Sequence, residues 1–388
     1  MTTTKNGGNQ WGTSTVGVQF DVQLGKMLDA ARNIGEPKPY LGNRAVQWGH
    51  IDVSAARIVP MTKSDLLRYR LEPGDLLVCE GGEVGRAAIW TGELTECYFQ
   101  KALHRLRPRF GYEPRVMLAL LEMWAKTNKF ANYTTQTSIA HLPRAKFLQM
   151  PVPLIPASEQ ARIAESLFNV EGLIASLELL ISKKRAIKQG MLEQLLLGTV
   201  RLPGYGARWN EMELSSLLSY EQPTKFLVRS TKQLPHGRYP VLTAGKTFVL
   251  GYTNETHGVY GALPVLIFDD FTTASKFVDF EFKAKSSAMK ILTARSEIAD
   301  IRFVFERMQL LRFPLGDHKR YWISEYSKQS IKVPPVEEQR AIAKVAEDAD
   351  AEIGALVRRL SKTNLLKEGL LRELLSGKTC LSGVVEAA

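Results

Sequence analysis

The sequence predicts an α+β protein: two globular domains of mixed sheet and helix, joined by two long helices that pair as an antiparallel coiled-coil spacer. Three features lead there. A segment of about forty residues occurs twice. Each copy carries the apolar spacing of a helix that needs a partner. The stretches outside the copies read as short strands broken by Gly and Pro turns.

The repeat comes first, because missing it would misread the whole fold. From Glu159 the chain reads EQARIAESLFNVEGLIASLELLISKKRAIKQGMLEQLLLGTVRL. From Glu338 it reads EQRAIAKVAEDADAEIGALVRRLSKTNLLKEGLLRELLSGKTCL. The offset is 179, it holds without a gap, and about a third of the positions are identical. Gln160/Gln339, Ile163/Ile342, Lys188/Lys367, Gly190/Gly369 and Gly198/Gly377 are among them. Apolar residues fall at Ile163, Leu167, Val170, Ile174, Leu177 and Ile181, and again at Ile342, Ala346, Ala349, Ile353, Leu356 and Leu360. Steps of four and three alternate, which is an a/d seam, and the simplest partner for each copy is the other. Pro156 and Pro335 precede the helices, and Glu159 and Glu337–Glu338 put acids at the positive helix end. Gly198 and Gly377 stand where a C′ glycine ends a helix. Gly190 and Gly369 lie inside, where each costs about 1 kcal/mol relative to Ala. They are read as admitting the close approach of another backbone. Each helix, about 159–197 and its copy, should span roughly 58 Å.

The repeat divides the 388 residues into a first domain (1–155), a first helix (156–202), a second domain (203–333) and a second helix (334–388). In the first domain, 46–59 reads as paired strands. LEPGDLLVCEGGEVGRAAIW (71–90) reads as a Pro-Gly turn, an apolar strand, a Gly-rich turn and a strand, and 115–126 has helical periodicity. In the second domain, 239–253, 264–270 and 276–285 are strand-like. The two domains look unlike in sequence, and a helix is located only in the first.

The net charge is +11, which suggests a polyanionic partner, nucleic acid ahead of a membrane surface. It is not spread evenly. The domains hold 19 Lys and Arg against 13 Asp and Glu, and 18 against 13; the helices hold 6 against 5 and 8 against 9. Two phosphate-contacting modules on a near-neutral spacer fit that division. Each domain ends in a polar stretch, 134–147 and 316–330. There Gln136, Thr137, Ser138, His141, Arg144, His318, Lys319, Arg320 and Tyr321 combine the donors and acceptors that base edges need with charge for phosphates. Arg86, Lys246 and Thr247, in the Gly-containing turns, join the candidate DNA-binding residues. Cys79, Cys97 and Cys380 form neither a disulfide framework nor a zinc module and fit a reducing cytoplasm. Residues 1–10 lack a signal-peptide pattern, and no apolar run is long enough to span a bilayer.

Enzyme motifs are weak. Gly245-Lys246-Thr247 and Gly377-Lys378-Thr379 lack the upstream Gly of a phosphate-binding loop, and the histidines are scattered. The sharpest rival is a Mg-dependent nuclease, with Asp269 or Asp270 and Glu281 holding the metal and Lys283 assisting water. Its opposite reading is a strand with Phe280 and Phe282 inward and Glu281 and Lys283 in water. A third class is a scaffold that binds proteins through its seams and no DNA.

Two helices starting P-x-x-E-Q and P-x-E-E-Q and ending near L-L-x-G, alternating with two globular domains, form a specific layout. With LEPGDLLVCEGGEVGRAA and YPVLTAGKTFVLGYT it resembles, over nearly the whole chain, the specificity subunit of type I restriction–modification enzymes. The resemblance implies two target recognition domains, each reading one part of a split, asymmetric double-stranded DNA site. It implies helices that set the gap and dock two methyltransferase subunits, with motor-nuclease subunits completing the complex. It implies a non-catalytic chain without cofactors, with S-adenosylmethionine, ATP and Mg on the partners.

Overall fold

A computed structural model gives the fold and describes residues 11–29, 33–135, 140–230, 232–245, 247–314 and 320–376. The chain divides into two compact units: Met1–Leu177 with Arg359–Ala388, and Glu178–Arg358.

The first domain runs β1 (Thr13–Thr15), α1 (Val16–Gln19), β2 (Phe20–Leu24), β3 (Glu36–Leu41), β4 (Val46–Gln47), β5 (His50–Ile51), β6 (Arg57–Met61) and α2 (Lys63–Tyr69). It continues through β7 (Leu76–Cys79), β8 (Ala87–Ile89), β9 (Tyr98–Phe99), β10 (Leu103–Pro108), α3 (Pro114–Lys126), α4 (Arg144–Leu148) and β11 (Pro151–Pro153). Then comes the first long helix, α5 (Ala157–Leu197). The second domain runs β12 (Asn210–Glu213), α6 (Leu214–Leu217), β13 (Leu218–Glu221), β14 (Tyr239–Leu242), β15 (Val249–Thr253), β16 (Val265–Asp269), β17 (Ser275–Val278), β18 (Lys283–Ala284) and β19 (Met289–Ala294). It closes with α7 (Ile301–Gln309), α8 (Tyr321–Ser324) and β20 (Ser330–Val333), before the second long helix, α9 (Val336–Ser376).

The two domains, unlike in sequence, have one topology. A four-stranded antiparallel sheet has the order β2-β10-β7-β8 in one and β13-β19-β16-β17 in the other. A three-stranded sheet, β6-β3-β9 or β15-β14-β18, carries a parallel third strand. The first and last strands of each domain pair with each other, β1 with β11 and β12 with β20.

The continuous apolar runs LLVC and VLIFD are strands buried on both faces. Leu76 and Val78 point into a core shared with α3 and the long helices, while Leu77 and Cys79 point into a core under the small sheet. Leu266 and Phe268 alternate with Val265 and Ile267 in the same way. Each head therefore has two cores with its large sheet between them. The Pro73-Gly74 turn before β7 places Gly74 at φ 97°, where a side chain would be strained.

The second domain, whose helix the sequence did not locate, has α7 in the place of α3. This helix is nine residues long and buries only Phe303, Val304, Arg307 and Met308, so its periodic signal is short. The strand-like run 276–285 is two strands in different sheets, broken where Phe280 and Glu281 turn to solvent.

Both long helices have 41 residues. Within the first unit, Glu171 pairs with Lys367 at 2.9 Å, and Ile163 and Leu167 share a core with Leu371. Within the second unit, Lys184 pairs with Glu352 at 2.7 Å and Lys188 with Asp350 at 2.5 Å, while Leu192 and Leu195 share a core with Ile342 and Ala346. Numbers rise on one helix as they fall on the other, so inside each unit the helices run antiparallel. Seam residues Ile163, Leu167, Leu177, Ile181, Ile342, Ala346 and Ile353 are buried; Val170, Ile174, Leu356 and Leu360 are half-buried. Burying one such Leu or Ile contributes roughly 1.5–3 kcal/mol. Gly198 ends α5 at φ 71°; Gly377 lies outside the described residues. No backbone of the chain approaches Gly190 or Gly369 among the described residues, because nothing there lies within 4 Å of where a Cβ would stand on either. No described helix is long and apolar enough to cross a membrane.

Candidate nucleic-acid interface

In the first domain the candidate surface gathers around the end of β7. The Leu142 amide donates to the Glu80 carbonyl at 2.7 Å, and the Thr135 amide donates to the His141 carbonyl at 3.0 Å. His141 lies exposed against Gly81, where a Cβ would stand 2.8 Å from its Nδ1, so any side chain there would have to displace the imidazole. On the other side of the turn, a Cβ on Gly82 would stand 3.7 Å from the Asn43 amide nitrogen. His141, the Gly81-Gly82 turn and Asn43 are thus one surface. Arg86 braces it: its guanidinium donates to the Asn43 carbonyl at 2.8 Å and to Glu83 at 3.1 Å. Arg144 is exposed, with its Nε held on the Val22 carbonyl at 2.7 Å. Burial raises the Glu80 carboxyl above the ordinary carboxylate range. Gln136, Thr137 and Ser138 lie outside the described residues.

The second domain repeats the frame with other side chains. The Tyr321 amide donates to the Asp270 carbonyl at 2.9 Å, as Leu142 does to Glu80. His318 and Lys319, which precede it, lie outside the described residues, as does Lys246; Arg320 and Thr247 are exposed. Tyr321 must be corrected as a contact candidate. It is 2% exposed and its ring packs 5.3 Å from that of Phe313, so it is core.

The nuclease constellation comes apart. Asp269 accepts from the Phe271 amide at 2.9 Å, which closes its own turn. Asp270 is buried, accepting from the Trp322 amide at 2.9 Å and pairing with Lys290 at 3.3 Å. Lys283, far from facing water, is fully buried on Glu255 (2.8 Å) and the His257 carbonyl (2.7 Å). Glu281 is exposed in a separate cleft beside Arg238 and Phe280. Asp269, Asp270 and Lys283 each have a structural partner of their own, and Glu281 stands apart from them. Among the described residues no three His, Cys, Asp or Glu side chains are placed to hold a metal ion.

The repeat motif does its work where each head meets the helices. Gln160 accepts from the backbone N–H of Glu113, the N-cap of α3, at 2.6 Å and donates to the Ile155 carbonyl at 2.8 Å. Gln339 accepts from the N–H of Asp300, the N-cap of α7, at 3.0 Å and donates to the Pro334 carbonyl at 2.9 Å. Lys367 bridges Glu171 (2.9 Å) and Glu122 of α3 (3.3 Å); Lys188 bridges Asp350 (2.5 Å) and Glu306 of α7 (4.0 Å). Arg302 adds its own ion pairs to Glu306 and Asp350. The two junctions are built alike, at the same repeat positions of the two long helices. Glu338, 1% exposed, takes a bidentate Arg201, whose repeat counterpart, Cys380, lies outside the described residues.

No family model matches the chain. It is 46% identical over 179 residues to the type I restriction enzyme EcoR124I/EcoR124II specificity subunit of Escherichia coli, across 45% of this chain. That match spans 42% of the relative, less than half its length. It is 25% identical over 366 residues to a putative type I restriction enzyme MjaX specificity subunit of Methanocaldococcus jannaschii, covering 84% of each. The fold resembles the crystal structure of the S subunit of a type I restriction–modification system from M. genitalium, with a TM-score of 0.63 at 14% identity over 97% of this chain and 99% of that one. A type I complex-assembly structure matches at a TM-score of 0.58 and 12% identity, over 98% and 100%. With its duplicated helices and its two heads of one topology, the chain is similar in sequence to type I restriction enzyme specificity subunits and shares the fold of solved ones.

Proposed function

We propose that this chain is the non-catalytic, sequence-specific DNA-binding subunit of a type I restriction–modification complex. Each head reads one half of an asymmetric bipartite site. The helices set the spacing and dock two methyltransferase subunits, and motor-nuclease subunits join in the full complex. S-adenosylmethionine, ATP and Mg belong to those partners, and the complex works in the cytoplasm. The observation that carries this is one frame used twice with different side chains at the same place: His141 precedes Leu142, whose amide bonds the Glu80 carbonyl, and Arg320 precedes Tyr321, whose amide bonds the Asp270 carbonyl. Equivalent frames present unlike surfaces, which is what two unlike half-sites require. The excess of Lys and Arg in both heads supplies the phosphate term.

The test is methylome sequencing of cells that express the chain with the methyltransferase subunit encoded beside it. Methyladenine confined to one split, asymmetric motif is expected. Methylation that persists unchanged when this chain is deleted would overturn the reading.

A further inference from the structure

The shared topology transfers a position from one head to the other that the sequence could not. In the second head, residues 243–248 join β14 to β15, the first two strands of the small sheet, and the candidates Lys246 and Thr247 lie there. The equivalent segment of the first head is 42–56, between β3 and β6. The equivalence is fixed by backbone pairing. The third strand lies parallel to the first in both, Leu41 beside Phe99 and Leu242 beside Ala284. The next residue then donates back to the end of the first strand, Gln100 to Leu41 at 3.0 Å and Lys285 to Leu242 at 2.8 Å.

In the first head this segment walls a cleft of about 530 Å³, lined by Asn43, Arg44, Ser54, Arg57 and Gln100 among others. Neither Arg44 nor Arg57 has an ion-pair or hydrogen-bond partner for its side chain among the described residues, and both are exposed. Other arginines of this head are tied down: Arg86 on the Asn43 carbonyl, Arg105 on the Arg70 carbonyl, Arg107 on Asp75. The amides of Asn43 and Gln100 are likewise unpaired among the described residues. Asp52, two residues before Ser54, accepts from the Ser54 amide (3.0 Å) and hydroxyl (2.6 Å). Two free guanidinium groups with two free amides make the combination that phosphates and base edges demand. Through Asn43 and Gly82 the cleft continues into the surface that carries His141.

We infer that the loop joining the first two strands of the small sheet meets DNA in the first head. In the first head the cleft seats backbone phosphate at Arg44 and Arg57, with Asn43 and Gln100 facing bases. This rests on the DNA-reading function proposed above and gives it a surface.

The test uses the chain in complex with its methyltransferase subunit, on duplexes carrying the motif found by methylome sequencing. Arg44→Ala with Arg57→Ala should weaken binding about tenfold or more for cognate and unrelated duplexes alike. It should also make the plot of log affinity against log salt shallower by about two. Arg44→Lys with Arg57→Lys should restore the slope. Asn43→Ala with Gln100→Ala should relax one half of the methylated motif and leave the other intact. Wild-type affinity and slope in the double alanine variant would overturn the inference while the bipartite reader stands. A wild-type complex that binds all duplexes equally would instead bring down the proposed function.

Discussion

The two heads share an order of strands but few side chains, whereas the two long helices share both. The boundary between sameness and difference is sharp. Gln160 and Gln339 reach N-cap amides of α3 and α7 in the same way, and Lys367 and Lys188 bridge the same pair of elements. A few strands away, the position held by His104 on β10 is held by Lys290 on β19, and Glu80 is answered by Asp270. The junction must place two heads equivalently, so its contacts repeat. The rest of each head needs only to keep its frame, so its interior is free to find a second solution and its loops a second surface.

The largest effect tests whether the halves are separate folding units. Ile163→Asp and Ile342→Asp put a carboxylate at equivalent buried positions, 2% and 1% exposed. Each should cost about 4 kcal/mol or more. Hydrogen exchange should show lost protection mainly in the unit that carries the substitution. Equal loss across both units would mean that the halves unfold as one body.

The buried pair of unlike residues gives the next effect. His104 is fully buried; its Nε2 donates to the Leu142 carbonyl at 2.9 Å and its Nδ1 has no partner among the described residues. Burial pushes its pKa down to about 4. Below about 6.5 the unfolded chain takes up a proton that the folded chain refuses. Stability of the first head therefore falls as pH drops from about 6.5 to 4, by roughly 3 kcal/mol. The second head has its acid-sensitive group elsewhere. The bond from Lys283, helped by the Ser230 and Arg229 amides, holds the Glu255 carboxyl down at about 2. Its contribution is present above about 4.5 and is lost as pH falls toward 2. Melting between pH 7 and 4.5 should show one sensitive transition, and His104→Gln, which keeps a donor but does not titrate, should flatten it. Parallel loss in both heads would break the contrast.

The junctions should respond alike. Gln160→Ala and Gln339→Ala each strand a part-buried backbone N–H, at about 1–3 kcal/mol. Similar drops in melting temperature are expected. A tenth of the effect at one site would show that the shared motif is not used equally.

What the sequence made legible follows from distance along the chain. The seam, α3 and the apolar runs of β7 and β16 are local patterns that burial enforces. The common topology of the heads is carried by pairing between remote strands, Leu41 with Phe99 and Leu242 with Ala284, and leaves no shared motif behind. The cleft is invisible for the same reason: Arg44, Arg57 and Gln100 meet only once the small sheet has formed. Tyr321 misled because its polar neighbours read as a loop, while its ring was needed by Phe313.

The smallest effect concerns the two glycines inside the helices. Nothing stands within 4 Å of a Cβ on Gly190 or Gly369, so alanine fits both without adjustment. Removing the backbone freedom of glycine should stabilise each helix by about 1 kcal/mol, read as a higher melting temperature of the chain alone. Identical positions each give up that much stability with no neighbour among the described residues to explain it. The complex supplies the discriminating readout. If Gly190→Ala and Gly369→Ala stabilise the chain and leave assembly with the methyltransferase subunit untouched, the glycines are tolerated weak spots. If assembly weakens at both sites by the same factor, a partner packs against bare helix backbone there, and the equivalence of the two junctions extends to what docks on them.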